Sequence, residues 1–243
     1  MWALYRKEIY SFLSSIIGIV VIGIFLAITS IFLWYSDFGT NILQGGYANL
    51  DGLFALAPWV FLILIPAITM RSFAEEKNNG TFELLFTKPI SDLSIIMAKF
   101  WACFTLFVLA IIPTLIYFFT VQQLGFPKGN LDTGSIWGSY IGLVMLGGSF
   151  ISIGIFSSSV SSNQIVSLIL SIVICFVVYL GFEVVGEQSF FGEAGLFVQN
   201  LGIGVHYNSI SKGRIDTRDV IYFLSLISFF IILTKTVINS RKW

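Results

Sequence analysis

The sequence predicts an all-α, polytopic integral membrane protein with six transmembrane helices, a short N-terminal interfacial helix and one short cytoplasmic helix. Three observations carry that prediction. Hydrophobic residues make up 56% of the 243 residues and charged residues only 11%, with a mean hydropathy of +0.91. A soluble domain is far more polar. The apolar residues gather into runs long enough to cross a hydrocarbon core of ~30 Å as helices, the form in which a single segment satisfies its own backbone in lipid. The 13 basic residues are spread unevenly over the connections between those runs.

The chain opens with Arg6, Lys7 and Glu8 interleaved with Trp2, Leu4, Tyr5 and Ile9. That pattern suits a helix over residues 1–11 that lies in the interface and grips anionic headgroups. The apolar stretch that follows is too long for a signal peptide and ends in Trp34 and Tyr35, so it reads as a retained span.

Six spans are expected at residues 12–33, 53–70, 100–121, 135–156, 164–182 and 220–238. The first five contain no Asp, Glu, Lys or Arg; the sixth has Lys235 near its end, where it can snorkel. Pro58, Pro66 and Pro113 are expected to kink or open their helices. Gly138 and Gly142 form a small-xxx-small pair in the fourth span, followed by Gly148 and Ser152, a spacing for close helix packing within the chain or across a dimer. Ser14 and Gly18 repeat the spacing in the first span.

Charge placement gives the direction. If the N-terminus is cytoplasmic, Arg6, Lys7, Arg71, Lys77, Lys88, Lys99, Lys235, Arg241 and Lys242 lie inside, leaving Lys128, Lys212, Arg214 and Arg218 outside. This obeys the positive-inside rule, so both termini are expected in the cytoplasm of a bacterial inner-membrane protein. The long connection 183–219 is Gly-rich and contains an interrupted apolar stretch, expected to form short interfacial or re-entrant helices on the outside. No Pro-rich or Gly/Ser-rich linker divides the chain, so one domain is expected over 1–243.

Several function classes are disfavoured. The formal net charge of zero gives no nucleic-acid footprint. Cys103 and Cys175 sit in apolar runs and His206 is the sole histidine, so no metal-ligand spacing exists. The serine-rich stretch at residues 157–162 has no G-x-S-x-G elbow and reads as a polar turn. A membrane enzyme, channel or secondary transporter would place charged or catalytic groups at membrane depth, and the spans offer no Asp, Glu or His there.

The inside segment 71–99 contrasts with its surroundings. Thr81 is placed to cap a helix after the turn Asn78-Asn79-Gly80, Glu83 lies near its positive end, and Pro89 stops it, predicting a helix of about two turns. Phe82, Leu85 and Phe86 would share one face, forming a ridge that lies on headgroups or enters a partner's groove.

From Glu75 to Pro89 the string E-E-x-x-x-G-T-x-E-x-L-x-x-x-P resembles the segment after the second span in ABC transporter permeases of the type 2 export family. The resemblance runs along the whole chain, and Asn163-Gln164-Ile165-Val166 and Ile215 to Val220 are similar to stretches of the family's gliding-motility-associated permeases. It implies that residues 80–88 form a coupling helix inserted into a separate ABC ATPase subunit. Arg71, Glu75, Glu76 and Glu83 would make polar contacts there, alongside Gly80, Thr81, Phe82, Leu85, Phe86, Lys88 and Pro89. It also implies a second permease copy or a related membrane subunit with an outer domain. The chain has no Gly-Lys dipeptide and so no G-x-x-x-x-G-K-[ST] loop, placing ATP and Mg in the partner ATPase. Whether such a complex exports a substrate or does mechanical work on a partner is left open by the residues.

Overall fold

The computed structural model of the protein describes residues 1–36, 39–44, 47–83, 90–126, 131–187 and 194–240. The helices are α1 (Trp2–Leu13), α2 (Ile16–Trp34), α3 (Asp51–Thr69), α4 (Ala74–Asn78), α5 (Asp92–Ile111), α6 (Leu115–Leu124), α7 (Thr133–Val160), α8 (Gln164–Phe176), α9 (Phe182–Gly186), α10 (Ala194–Gln199), α11 (Ile203–Ile210) and α12 (Thr217–Ser240). Among the described residues five helical runs are long and apolar enough to cross a membrane, and a sixth is reached if the bent pair α1 and α2 counts as one span.

That pair departs from a single helix starting at Phe12. The chain breaks at Ser14 and Ser15 and turns by 66° before α2 continues. Gly18 makes the tight turn possible, because a Cβ there would lie 2.8 Å from the Phe12 ring and closer still to the Phe12 carbonyl. The 19 residues of α2 rise ~28 Å, close to the thickness of a hydrocarbon core, and α1 leaves their axis at the bend. Asp92 opens α5 as one helix through Lys99, so residues 92–99 belong to the third span's helix instead of the connection; Ser91 caps it by accepting from the Ser94 amide.

Antiparallel traverses give the bundle two ends. The basal end holds α1, α4 and the C-terminal end of α7; the far end holds the start of α3, α11 and the start of α12. Long α7 is the central element, buried along most of its length. Its small residues face neighbours in the same chain: a Cβ on Gly138 would come within 3.0 Å of Gly213, on Gly142 within 2.8 Å of Ile210, and on Gly148 within 3.2 Å of Ile227. Ser152 is buried and donates to the Ser149 carbonyl. This stripe is an internal seam with α11, its following turn and α12.

The prolines behave differently from one another. Pro113 sits in a 3-10 turn at Ile112–Thr114 that separates α5 from α6. Through Pro58 and Pro66, α3 runs uninterrupted. Proline lacks the N–H that the carbonyl four residues earlier would accept, so Pro58 frees the Phe54 carbonyl. The buried Tyr207 hydroxyl donates to that carbonyl at 2.6 Å. The proline in α3 thereby ties the third helix to α11.

The described parts of the 183–219 connection are largely helical. Helix α9 prolongs α8 through a π turn, Val177–Gly181, and α11 buries Ile203, Tyr207 and Ile210 against the bundle. His206 clamps α11 to α12, with Nδ1 2.7 Å from Asp219 Oδ1, Nε2 2.9 Å from the Asn200 carbonyl, and its ring stacked on Tyr222 at 3.9 Å.

Replacing Tyr207 with Phe should cost about 1–3 kcal/mol, because the buried Phe54 carbonyl loses its partner. In a Pro58→Ala background the helix supplies its own N–H, and the same replacement should cost clearly less. Thermal melts of the four proteins in one detergent check this; an undiminished cost in the Pro58→Ala background would contradict it.

Candidate functional site

The connection between α3 and α5 is fastened to its surroundings by a square of four alternating charges. Lys99 Nζ lies 2.8 Å from Glu8 Oε1 and 3.0 Å from Glu76 Oε1. Lys7 Nζ closes the square at 3.1 Å from Glu76 and 3.7 Å from Glu8. Its corners come from α1, α4 and α5, and its formal charge is zero. The Lys99 side chain is 1% exposed. An ammonium so buried is tolerated only when paired and hydrogen-bonded. It donates to Glu8 and to the Ser72 carbonyl, and pairs with the Glu76 carboxylate. It also stands 5.0 Å from the centroid of the buried Phe73 ring.

A second set of contacts holds α4 against the end of α7. The Ser158 hydroxyl accepts from the Phe73 amide at 2.9 Å and the Ala74 amide at 3.0 Å, and donates to the Met70 carbonyl. It therefore caps α4 from another helix, satisfying amides that the first turn leaves free. Lys77 donates to the Ser159 carbonyl and lies 5.3 Å from the Phe82 centroid. Arg71 Nη1 reaches Ser15 Oγ at 3.1 Å, bracing the elbow between α1 and α2.

After α4 the chain reverses on Gly80 at φ +68, a left-handed conformation that favours glycine. The Gly80 amide bonds to the Lys77 carbonyl and the Thr81 amide to the Glu76 carbonyl, the double bond of a Schellman C-cap. Asn78, Asn79, Gly80, Thr81 and Glu83 are exposed, forming a protruding turn on a fastened base.

The expected site residues are thus divided. Gly80, Thr81 and Glu83 project outward, and Glu75 is half-buried. Glu76 turns inward: its carboxylate Oε1 is held in the charge square, so it supports the segment from within. Phe82 packs edge-on against Phe73 at 6.3 Å and faces Lys77, so its ring lies against the protein. Leu85, Phe86, Lys88 and Pro89 lie outside the described residues. Of the expected headgroup anchors, Arg6 is exposed over the Tyr10 ring, while Lys7 and Glu8 turn toward Glu76 and Lys99.

Two contributions escape a reading of the sequence. Residues 157–160 form no polar turn; they finish α7, with Ser157, Ser158 and Ser159 fully buried, and the turn begins at Ser161. Lys99 matters for its burial, signalled by one lysine in the apolar run Ile95-Ile96-Met97-Ala98-Lys99-Phe100. Its partner Glu8 is distant in sequence, beyond any local spacing rule.

Burial lowers the proton affinity of Lys7, but Glu8 and Glu76 outweigh it and raise its pKa above the ordinary 10.5. A raised folded value contributes stability below 10.5 that is lost as pH climbs through the raised value, so this corner is charged at neutral pH.

These features define a polytopic helical membrane protein with a fastened, protruding connection at one end. Residues 2–242 match the family described as ABC-2 family transporter protein, and the chain belongs to that family. It is a membrane transport component, an ABC-type permease subunit. No curated protein matches the chain.

Replacing Lys99 with Met leaves the buried Glu76 and the partly covered Glu8 facing a single ammonium and should cost about 3–5 kcal/mol. Lys7, 60% exposed, should cost no more than about 1 kcal/mol when replaced by Gln. Melting temperatures of the two variants in the same detergent check the difference; equal losses would contradict the ranking.

Proposed function

We propose that this chain is the membrane-spanning half of an ATP-driven transporter whose ATPase is a separate subunit that docks on the protruding turn after α4. One observation carries the reading: the turn 78–83 is exposed at its tip and fastened at its base to α1, α5 and α7. A contact surface that must transmit force needs both properties. A floppy loop would absorb a partner's displacement, and a buried one could not meet it.

In this reading the basal end is cytoplasmic. Support comes from Arg6, Lys7, Arg71, Lys77 and Lys99, gathered at that end as the positive-inside rule requires. ATP and Mg bind in the partner ATPase. Its closure on ATP displaces the segment 71–89, and the charge square passes the displacement to α1 and α5 while Ser158 passes it to α7. A second copy of this chain, or a related membrane subunit with an outer domain, completes the complex in the bacterial inner membrane. Similarity of residues 163–166 and 215–220 to gliding-motility-associated permeases supports export or mechanical work at the cell surface in that process.

The test is co-purification of the ATPase with a tagged permease. Glu83→Lys combined with Phe86→Asp should abolish recovery of the ATPase while the permease remains inserted. Glu76→Gln should weaken the permease's melting temperature more than its capture of the ATPase. Undiminished recovery with the double variant would refute docking at this turn.

A further inference from the structure

At the far end of the bundle a cavity of about 600 Å³ opens between α3, the start of α7, the π turn and α11. Its size is that of a small-molecule site. Its walls combine charged, polar and aromatic residues. Asp51, in the first turn of α3, lines the mouth, with Lys212 and Asn208 contributed by α11 and its following turn. Trp59 and Tyr179 also line the cavity, Trp59 two turns along α3 or about 12 Å from Asp51. Tyr207 presents only its ring, because its hydroxyl is spent on the Phe54 carbonyl.

The mouth carries one carboxylate and one ammonium. Asn49 Nδ2 donates to Asp51 Oδ2 at 3.0 Å, leaving Oδ1 for another donor. No ion pair joins Asp51 to Lys212 among the described residues, and both are exposed. Two turns along α3 from Asp51, Trp59 meets Tyr179 edge to face at 6.3 Å, with about half of Trp59 uncovered. Separate opposite charges above an aromatic floor complement a ligand with a zwitterionic head and an apolar body. The position, where membrane helices give way to the far-end connections, is that of a lipid headgroup.

We propose that this cavity binds an amine-bearing zwitterionic phospholipid, with the ammonium on Asp51, the phosphate on Lys212 and the glycerol and first acyl carbons against Trp59 and Tyr179. A primary ammonium donates N–H to a carboxylate, whereas a quaternary ammonium has no N–H to give. An anionic headgroup without an amine leaves the Asp51 carboxylate facing negative charge. The site therefore selects phosphatidylethanolamine over phosphatidylcholine and phosphatidylglycerol. It lies at the opposite end from the docking turn and does not depend on an ATPase partner.

Native mass spectrometry of the purified chain, released from detergent containing equal amounts of the three lipids, tests this directly. The wild-type protein should retain phosphatidylethanolamine about tenfold over phosphatidylglycerol, the ratio that one hydrogen bond to a charged group is worth. Asp51→Asn should erase that preference, and Lys212→Gln should lower retention of both. Soluble glycerophosphoethanolamine should fail to displace the bound lipid, since it lacks the acyl carbons that meet the aromatic floor. Both replaced side chains are exposed, so unchanged melting temperatures will accompany the loss. Retention of all three lipids in the proportions supplied would overturn the proposal. So would a preference that survives both replacements, or displacement by the free headgroup.

Discussion

Everything at the basal end depends on how one ammonium is kept out of lipid and out of water. Lys99 rises from the wall of a membrane helix among apolar neighbours and is almost fully covered. Charge in such a place is costly unless its partners are fixed. Two carboxylates and one carbonyl fix it, and they come from two other elements and the turn before α4. Meeting the demand of that single group therefore ties α1 and α4 to α5.

The same logic, in weaker form, holds the rest of the bundle. Pro58 removes a donor from α3, and the freed Phe54 carbonyl is met by Tyr207 from α11. Ser158 supplies the cap that α4 is too short to provide for itself. Glycines on α7 remove side chains where α11 and α12 approach closely. In lipid, where apolar contact alone discriminates poorly between helix arrangements, polar satisfaction and small residues specify which faces meet.

The spans were legible in the sequence because hydrophobic run length is a local property, and a run of about 20 apolar residues has few other uses. The glycine spacing on α7 was legible too, although only the structure decides that its partners are Gly213, Ile210 and Ile227 within the chain. The elbow at Ser14 and Ser15 was hidden, since apolar residues continue on both sides of it. At the candidate site the exposed turn at Gly80 could be read from Asn, Asn and Gly in succession. The inward roles of Glu76 and Lys7 could not, because a charge's direction depends on partners from elsewhere in the chain: Glu8 meets Lys99, and Lys7 meets Glu76. Phe82 looked like part of an outward ridge by its spacing, and a buried Phe73 behind it turned it inward.

The central claim is that the charge square fastens α1 to the protruding turn. Spin labels at Arg6 and Asn79, both exposed, report that attachment as a distance distribution, and native Cys103 and Cys175 are buried away from the labelling reagent. The purified wild-type background should give one narrow distribution, and Lys99→Met, at retained helicity, should broaden it and shift it to longer distances. An equally narrow, unshifted distribution in the Lys99→Met variant would contradict the claim.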